Sequence, residues 1–316
     1  MTAQDSATAP SSIAVSVPAQ APPVVDAAGA RGRSGGGMLL AALGVGMFSL
    51  TFPATAWALE GMGPWSVTAC RAVLAALIAG SCLLAGRVPL PARRHLLPLL
   101  AVAAGTVVGF PLLTTLALQT SSTSHAAVVV GLLPLTTAAY AAVRTRTRHS
   151  RGFWAAALTG AAVVVAFALY QSGGRFSPGD LYLLGALLIC AAGYAEGGAL
   201  ARELPGWQII GWALVLCLPL ALTGAVLALL AEPVRPSGHA LAGLLWLGTS
   251  QFVSLWVWYR GMGAIGVARA SQVQLAQPLL TLVWSVALLG ESLTPAAPLA
   301  ALAVLVCIGA TQRAGR

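Results

Sequence analysis

From residue 38 to about residue 312 the chain is a succession of apolar stretches, each long enough to cross a bilayer, joined by short polar connections. A membrane-spanning helix needs about 20 mostly apolar residues. Ten stretches qualify, at roughly 38–59, 64–86, 95–117, 122–143, 153–171, 180–201, 207–230, 240–261, 267–289 and 294–312. Only 8% of the residues are charged and 58% are hydrophobic, whereas soluble domains carry about a quarter charged. The sequence therefore predicts an all-α integral membrane protein with short, antiparallel connections.

All 17 basic residues are arginine. With the N-terminus inside, fourteen of them fall in segments on one side: Arg31, Arg33, Arg87, Arg93, Arg94, Arg144, Arg146, Arg148, Arg151, Arg202, Arg260, Arg269, Arg313 and Arg316. Arg175 and Arg235 lie on the other side, and Arg71 lies within the second stretch. Such asymmetry follows the positive-inside rule, so both termini are expected in the cytoplasm and the chain in the cell (inner) membrane. The rule also accounts for the net charge of +9, which leaves no reason to invoke nucleic acid as a partner. Residues 1–37, rich in Ala, Pro, Ser and Gly, read as a disordered tail, and 313–316 as a short cytoplasmic tail. Cys70, Cys82, Cys190, Cys217 and Cys307 all lie in apolar stretches without metal-ligand spacing.

The chain repeats itself. Gly63-Pro64-Trp65 matches Pro205-Gly206-Trp207, 142 residues on, and a shift of 144 aligns Pro134 with Pro278 and Tyr140 with Trp284. The units are 38–172 and 180–312, five helices each. An odd number of spans per unit forces the second copy to enter from the opposite face, and inverted repeats are the physical basis of alternating access in carriers.

Residues Phe52-Pro53, Pro64-Trp65 and Arg71-Ala72-Val73-Leu74 resemble the first two helices of the EamA-like branch of the drug/metabolite transporter superfamily. Tyr259-Arg260-Gly261-Met262, Ala270, Pro278-Leu279-Leu280 and Leu289-Gly290-Glu291-Ser292-Leu293-Thr294 carry the resemblance in the second half. It implies ten helices in two inverted five-helix repeats, with a substrate cavity lined by the first, third, fourth, sixth, eighth and ninth. It also implies export of amino acids or related small metabolites. Efflux of lipophilic cations and a non-transporting accessory or sensing role are the alternatives. The Gly-Glu turn that the family often shows in its first half is absent, because residue 147 is Thr.

Ionisable groups inside a membrane are costly and mark function or pairing. Arg71 is read as an anchor for a substrate carboxylate or, preferably, as a structural cap; Glu196 as a proton-coupling group or a partner of Arg202 or Arg260. Small multidrug resistance relatives use a Glu in the first helix of their unit, and Glu196 is in the first helix of the second repeat. Gln274, Pro278, Thr281 and Ser285 share one helical face of the ninth span, and Ser250, Gln251, Ser254 and Trp258 line up on the eighth. These polar stripes, with Gln277 and Tyr194, make a candidate pathway for a small-molecule substrate; interhelical hydrogen bonding is the alternative. Pro134 and Pro278 are expected to kink their helices around the cavity. Gly290 and Glu291 are expected to shape the turn into the last helix, and His125 to sit at a solvated loop end. No metal, phosphate-binding or hydrolase motif is present, so neither a catalytic role nor a cofactor is expected. The remaining partners are the lipid bilayer and, for coupling, protons.

Overall fold

The computed structural model describes residues 27–146, 150–171, 173–265 and 273–314. Among these the structure is entirely helical. Helix α1 (Ala27–Ser49) continues through a turn at Leu50 into α2 (Thr51–Leu59), followed by α3 (Pro64–Ala85). The third apolar stretch is α4 (Arg93–Val102), a π-helical segment (Ala103–Gly109) and α5 (Phe110–Ala117); the fourth is α6 (Thr123–Val130) and α7 (Leu133–Thr145). Then come α8 (Arg151–Gln171), α9 (Pro178–Leu200), α10 (Gly206–Ala231), α11 (Gly238–Ile265), α12 (Gln277–Leu289) and α13 (Ala296–Ala314). Among the described residues, eight helical stretches are long and apolar enough to cross a membrane, and α12 and Ala296–Ala310 are shorter apolar helices. This is a multi-pass membrane protein. The expected ninth span, 267–289, and Arg269 and Ala270 fall partly or wholly outside the described residues.

Helix α1 starts at Ala27, ahead of the expected first span, and its membrane-length apolar part runs with α2 over Gly35–Leu59. The Pro-rich composition that reads as disorder ends at Pro23, and no proline then interrupts the backbone ladder before Pro53. The first and fourth stretches are also broken, at Leu50 and at Gly131–Leu132. In both cases a proline opens the second segment: Pro53 follows the first break and Pro134 the second. A matching turn at residues 275–276 precedes Pro278.

The packing order repeats between the halves. Helix α1 lies along α11, while α9, its counterpart 144 residues later, lies along the third stretch, the counterpart of α11. Helix α3 packs on its own counterpart α10, and α8 on α13. In lipid such contacts rest on close packing of small residues. Gly105 in the π-helical segment is one such case, since a Cβ there would lie 2.5 Å from the Ile189 carbonyl oxygen and 2.8 Å from Gly193 Cα.

A candidate substrate cavity between two broken helices

Proline supplies no N–H, so the carbonyl four residues earlier loses its helical donor. Pro134 and Pro278 do this to Val130 and Gln274, and all four residues line a cavity of about 210 Å³. Its polar side chains are Thr137, Tyr194, Gln274, Gln277 and Thr281; its apolar wall includes Phe52, Leu133 and Ile308. No charged side chain lines it among the described residues. The cavity thus brings together Tyr194, Gln274, Gln277, Pro278, Thr281 and Pro134 from the sequence-derived set.

Pro53 has the same effect on the carbonyl of Ser49, and here the structure supplies a substitute donor. The Thr281 hydroxyl lies 3.0 Å from Ser49 O and 3.0 Å from Gln277 O. Trp284 Nε1 donates to Ser49 Oγ at 2.9 Å, and Ser49 Oγ donates to Gly46 O. One face of α12 is therefore pinned to the break in the first stretch. Ser285, also on that face, donates to Thr281 O.

The eighth-span stripe lies elsewhere. Ser254 is buried and donates to Ser250 O, and Trp258 is buried against Ala41 and Val45 of α1, edge-on to Phe48. Neither lines the cavity. Arg71 is also off its wall: it is buried, and its Nε donates to Gln251 Oε1 at 3.0 Å. Gln251 Nε2 in turn lies 3.4 Å from Val107 O in the π-helical segment. Arg71 thus joins three stretches through an amide, with no carboxylate within ion-pair range among the described residues. Glu196 meets Arg144 Nε at 3.3 Å, not Arg202 or Arg260. That pair ties the ends of α7 and α9 two residues beyond Tyr194.

Glu291 does not serve the turn into α13. Gly290 ends α12 in the left-handed region at φ 65°, and the chain reversal carries Glu291 to the start of α6. There its carboxylate accepts from Thr123 N (2.8 Å), Ser124 N (3.0 Å) and Ser124 Oγ (2.5 Å), satisfying donors that a helix N-terminus leaves free. His125, one residue on, is buried rather than solvated. Its Nε2 lies 2.6 Å from Asp180 Oδ1, and its ring stacks on Phe167. Asp180 is buried too, and closes a capping box with Ser177 at the start of α9.

Two further pairs escaped the sequence reading. His239 Nδ1 lies 3.3 Å from Glu60 Oε2 with Trp57 stacked on its ring; His95 Nε2 lies 3.0 Å from Glu203 Oε2, which Arg94 also meets at 3.0 Å. A shift of 143 carries Glu60 to Glu203 and a shift of 144 carries His95 to His239. The signal was therefore present within one residue of the alignment that pairs the prolines. The hydrogen bond from His95, and next the Arg94 charge, hold the Glu203 carboxyl below the usual carboxylate range.

A duplicated helical bundle in the membrane, with a polar-lined cavity where two broken helices meet, defines the class of membrane transporters. The profile of the EamA-like transporter family matches residues 35–169 and again residues 177–311, and the chain belongs to that family. It is 41% identical over 275 residues to the uncharacterized transporter YdeK of Bacillus subtilis (strain 168), covering 86% of this chain and 95% of that protein. A solved crystal structure of a protein 22% identical superposes with a TM-score of 0.61, covering 87% of this chain and 98% of the other. At that identity the likeness is one of fold.

Proposed function

We propose that this protein is a secondary transporter exporting amino acids or related small metabolites by alternating access. The observation that carries this reading is the cavity: amides, hydroxyls and one phenol set among apolar groups, without a charged side chain among the described residues. Such a lining suits a neutral or zwitterionic molecule with an apolar part. The volume of about 210 Å³ is below the roughly 300–1,000 Å³ of pockets for drug-sized ligands, which favours a metabolite. A lipophilic cation would call for a carboxylate on the wall, and Glu196 is instead a strut to Arg144. Ser254, Trp258 and Arg71 act in this reading as packing and bracing groups.

Ten spans in two inverted halves, with both termini cytoplasmic in the cell membrane, complete the proposal. The crossed pairings Glu60–His239 and His95–Glu203 support inversion, because an inverted duplication sets equivalent pairs at opposite faces. In that topology Tyr194, Thr137 and Ile308 lie on helix halves that end at the arginine-rich face, so the cavity is the inward-facing one.

The test is thermal stabilisation of the purified protein by amino acids, other metabolites and lipophilic cations at two pH values. Stabilisation by amino acids, lost in Gln274→Ala and Gln277→Ala, is the expected result. Stabilisation by cations alone, lost in Glu196→Gln, would replace this reading with drug efflux. A blank panel would favour an accessory or sensing role.

A further inference from the structure

We infer that Arg71 carries an anion site at the centre of the bundle, where the free edge of its guanidinium takes a carboxylate, borne by the transported molecule or free. The inference goes beyond the transport reading above, and rests on its inverted topology for the depth of the site.

The guanidinium is only half committed. Its Nε donates to Gln251 Oε1 at 3.0 Å, and Gln251 Nε2 lies 3.4 Å from Val107 O. Both ends of the amide are thereby engaged, which holds the arginine in one plane. Nη1 and Nη2 have no hydrogen-bond partner among the described residues. The side-chain atoms there that are both unpartnered and sealed are Ser66 Oγ, His95 Nδ1, Trp246 Nε1 and Thr294 Oγ1. The two Nη atoms are not among them, so the 5% of its surface that Arg71 keeps includes this edge.

Charge decides what the edge takes. A buried cation without a counter-charge is strongly destabilised, and no carboxylate of the described residues lies within ion-pair range of Arg71. A shift of 144 carries Arg71 to Val215, so the other half brings no second cation to the equivalent place. Nη1 and Nη2 together present two parallel N–H groups, which match the two oxygens of a carboxylate. One fixed guanidinium with a spare edge therefore selects a single carboxylate.

The position suits a carrier. Gln251 and Val107 are themselves 144 residues apart, so the amide touches the carbonyl of its own counterpart in the other half. A two-fold operation exchanges such a pair, and a contact between its members lies on the axis. Helices α3 and α10, and α8 and α13, also pack on their counterparts, so the axis crosses the bundle. The cavity straddles it too, through Thr137 with Thr281 and Pro134 with Pro278. In an inverted duplication this axis lies in the membrane plane, and substrate sites lie near the bilayer midplane where the repeats meet. Gln251, at the middle of α11, has that depth. Arg71 is off the cavity wall and supplies the cation that the wall lacks; an amino acid would use both, and a small free anion Arg71 alone.

The experiment is thermal unfolding of the full chain in lipid nanodiscs, titrated at fixed pH and ionic strength with sodium acetate, with amino acids and with the matching carboxamides. Acetate is expected to raise the unfolding temperature saturably. Each stabilising amino acid is expected to bind about tenfold to a hundredfold more tightly than its carboxamide. Arg71→Gln should abolish both effects. Should that variant fail to fold, Gln251→Glu is the second: it keeps an acceptor for Nε, supplies a resident carboxylate and should likewise remove the acetate response. An acetate response without preference for amino acids over carboxamides supports the site and assigns it to a free anion. The preference without the acetate response supports it and assigns the site to the transported molecule. Wild type with neither overturns the proposal without recourse to any variant, as does a response that survives in Arg71→Gln or Gln251→Glu. Equal stabilisation by amino acids and carboxamides, lost in Gln274→Ala and with no acetate response, sinks the anion site alone. An acetate response beside a blank amino-acid panel leaves the site and sinks the transport reading.

Discussion

Thr137 and Thr281 stand at equivalent places in the two halves, 144 residues apart, each on the cavity wall and each within reach of the carbonyl four residues before it. Only Thr281 also reaches across to another helix, at Ser49 O. The reason lies in that other helix: the first stretch has Pro53, while the corresponding position of α9 is Gly197, which keeps its N–H. The breaks before Pro134 and Pro278 and the glutamate–histidine pairs recur in both halves, so they belong to the frame. The Ser49–Thr281 tie and the outer end of α6 do not recur: Glu291, His125 and Asp180 align with Thr147, Arg269 and Gly36. Where the copies differ, the second half has been fitted to a particular partner in the first, and the residues that distinguish this transporter from its own repeat are concentrated there.

The strongest way to break this comparison is at the helix starts. Glu291→Ala strips three acceptor contacts from α6 and should cost about 2–3 kcal/mol, read as a fall in unfolding temperature. Glu232 serves the start of α3 in the same manner, through Trp65 N and Ser66 N. The α3 start is more open, since Trp65 is exposed whereas all of α6 is buried, so Glu232→Ala should cost only about 0.5–1 kcal/mol. Equal losses would mean that burial of α6 is not what sets the difference.

Thr281→Val should cost about 1–2 kcal/mol by leaving Ser49 O without its donor, against a near-neutral Thr137→Val. Pro53→Ala restores an N–H to that carbonyl, so in the double variant the cost of Thr281→Val should largely vanish. A double-mutant cycle on thermal unfolding measures this, and strict additivity would sink the account.

The smallest effect separates the two recurring pairs. Glu203 has its carboxyl held low, so its contribution is complete above the usual carboxylate range and is lost as pH falls through the lowered value. Acidification should therefore destabilise wild type more than Glu203→Gln. The gap should shrink in high salt, because the group is exposed and screened.

The membrane class, the arginine asymmetry, the two-fold repeat and several residues that line the cavity were legible in the sequence, because span length, loop charge and helical spacing are local properties. Gln274, Pro278 and Thr281 could be placed on one face by counting alone. Partners could not. Glu196 was assigned to Arg202 or Arg260 and meets Arg144; Glu291 caps a helix start 168 residues away from it in sequence. Ser254 and Trp258 show the same limit, since a polar stripe on a helix marks a contact face without saying whether a cavity or another helix lies opposite. His125 read as a loop end because its burial depends on Asp180, 55 residues on, although Ser177-Pro178-Gly179-Asp180 already carried the pattern of a capped helix start.

The tie between Ser49 and Thr281 also sets a clock. The two residues are 232 positions apart, and ribosomes add roughly 5–20 residues per second. The first stretch must therefore wait roughly ten to fifty seconds for the hydroxyl that completes its backbone. Through that interval the newborn protein carries an unanswered carbonyl at the site of its own break, and the last quarter of synthesis finishes the first helix.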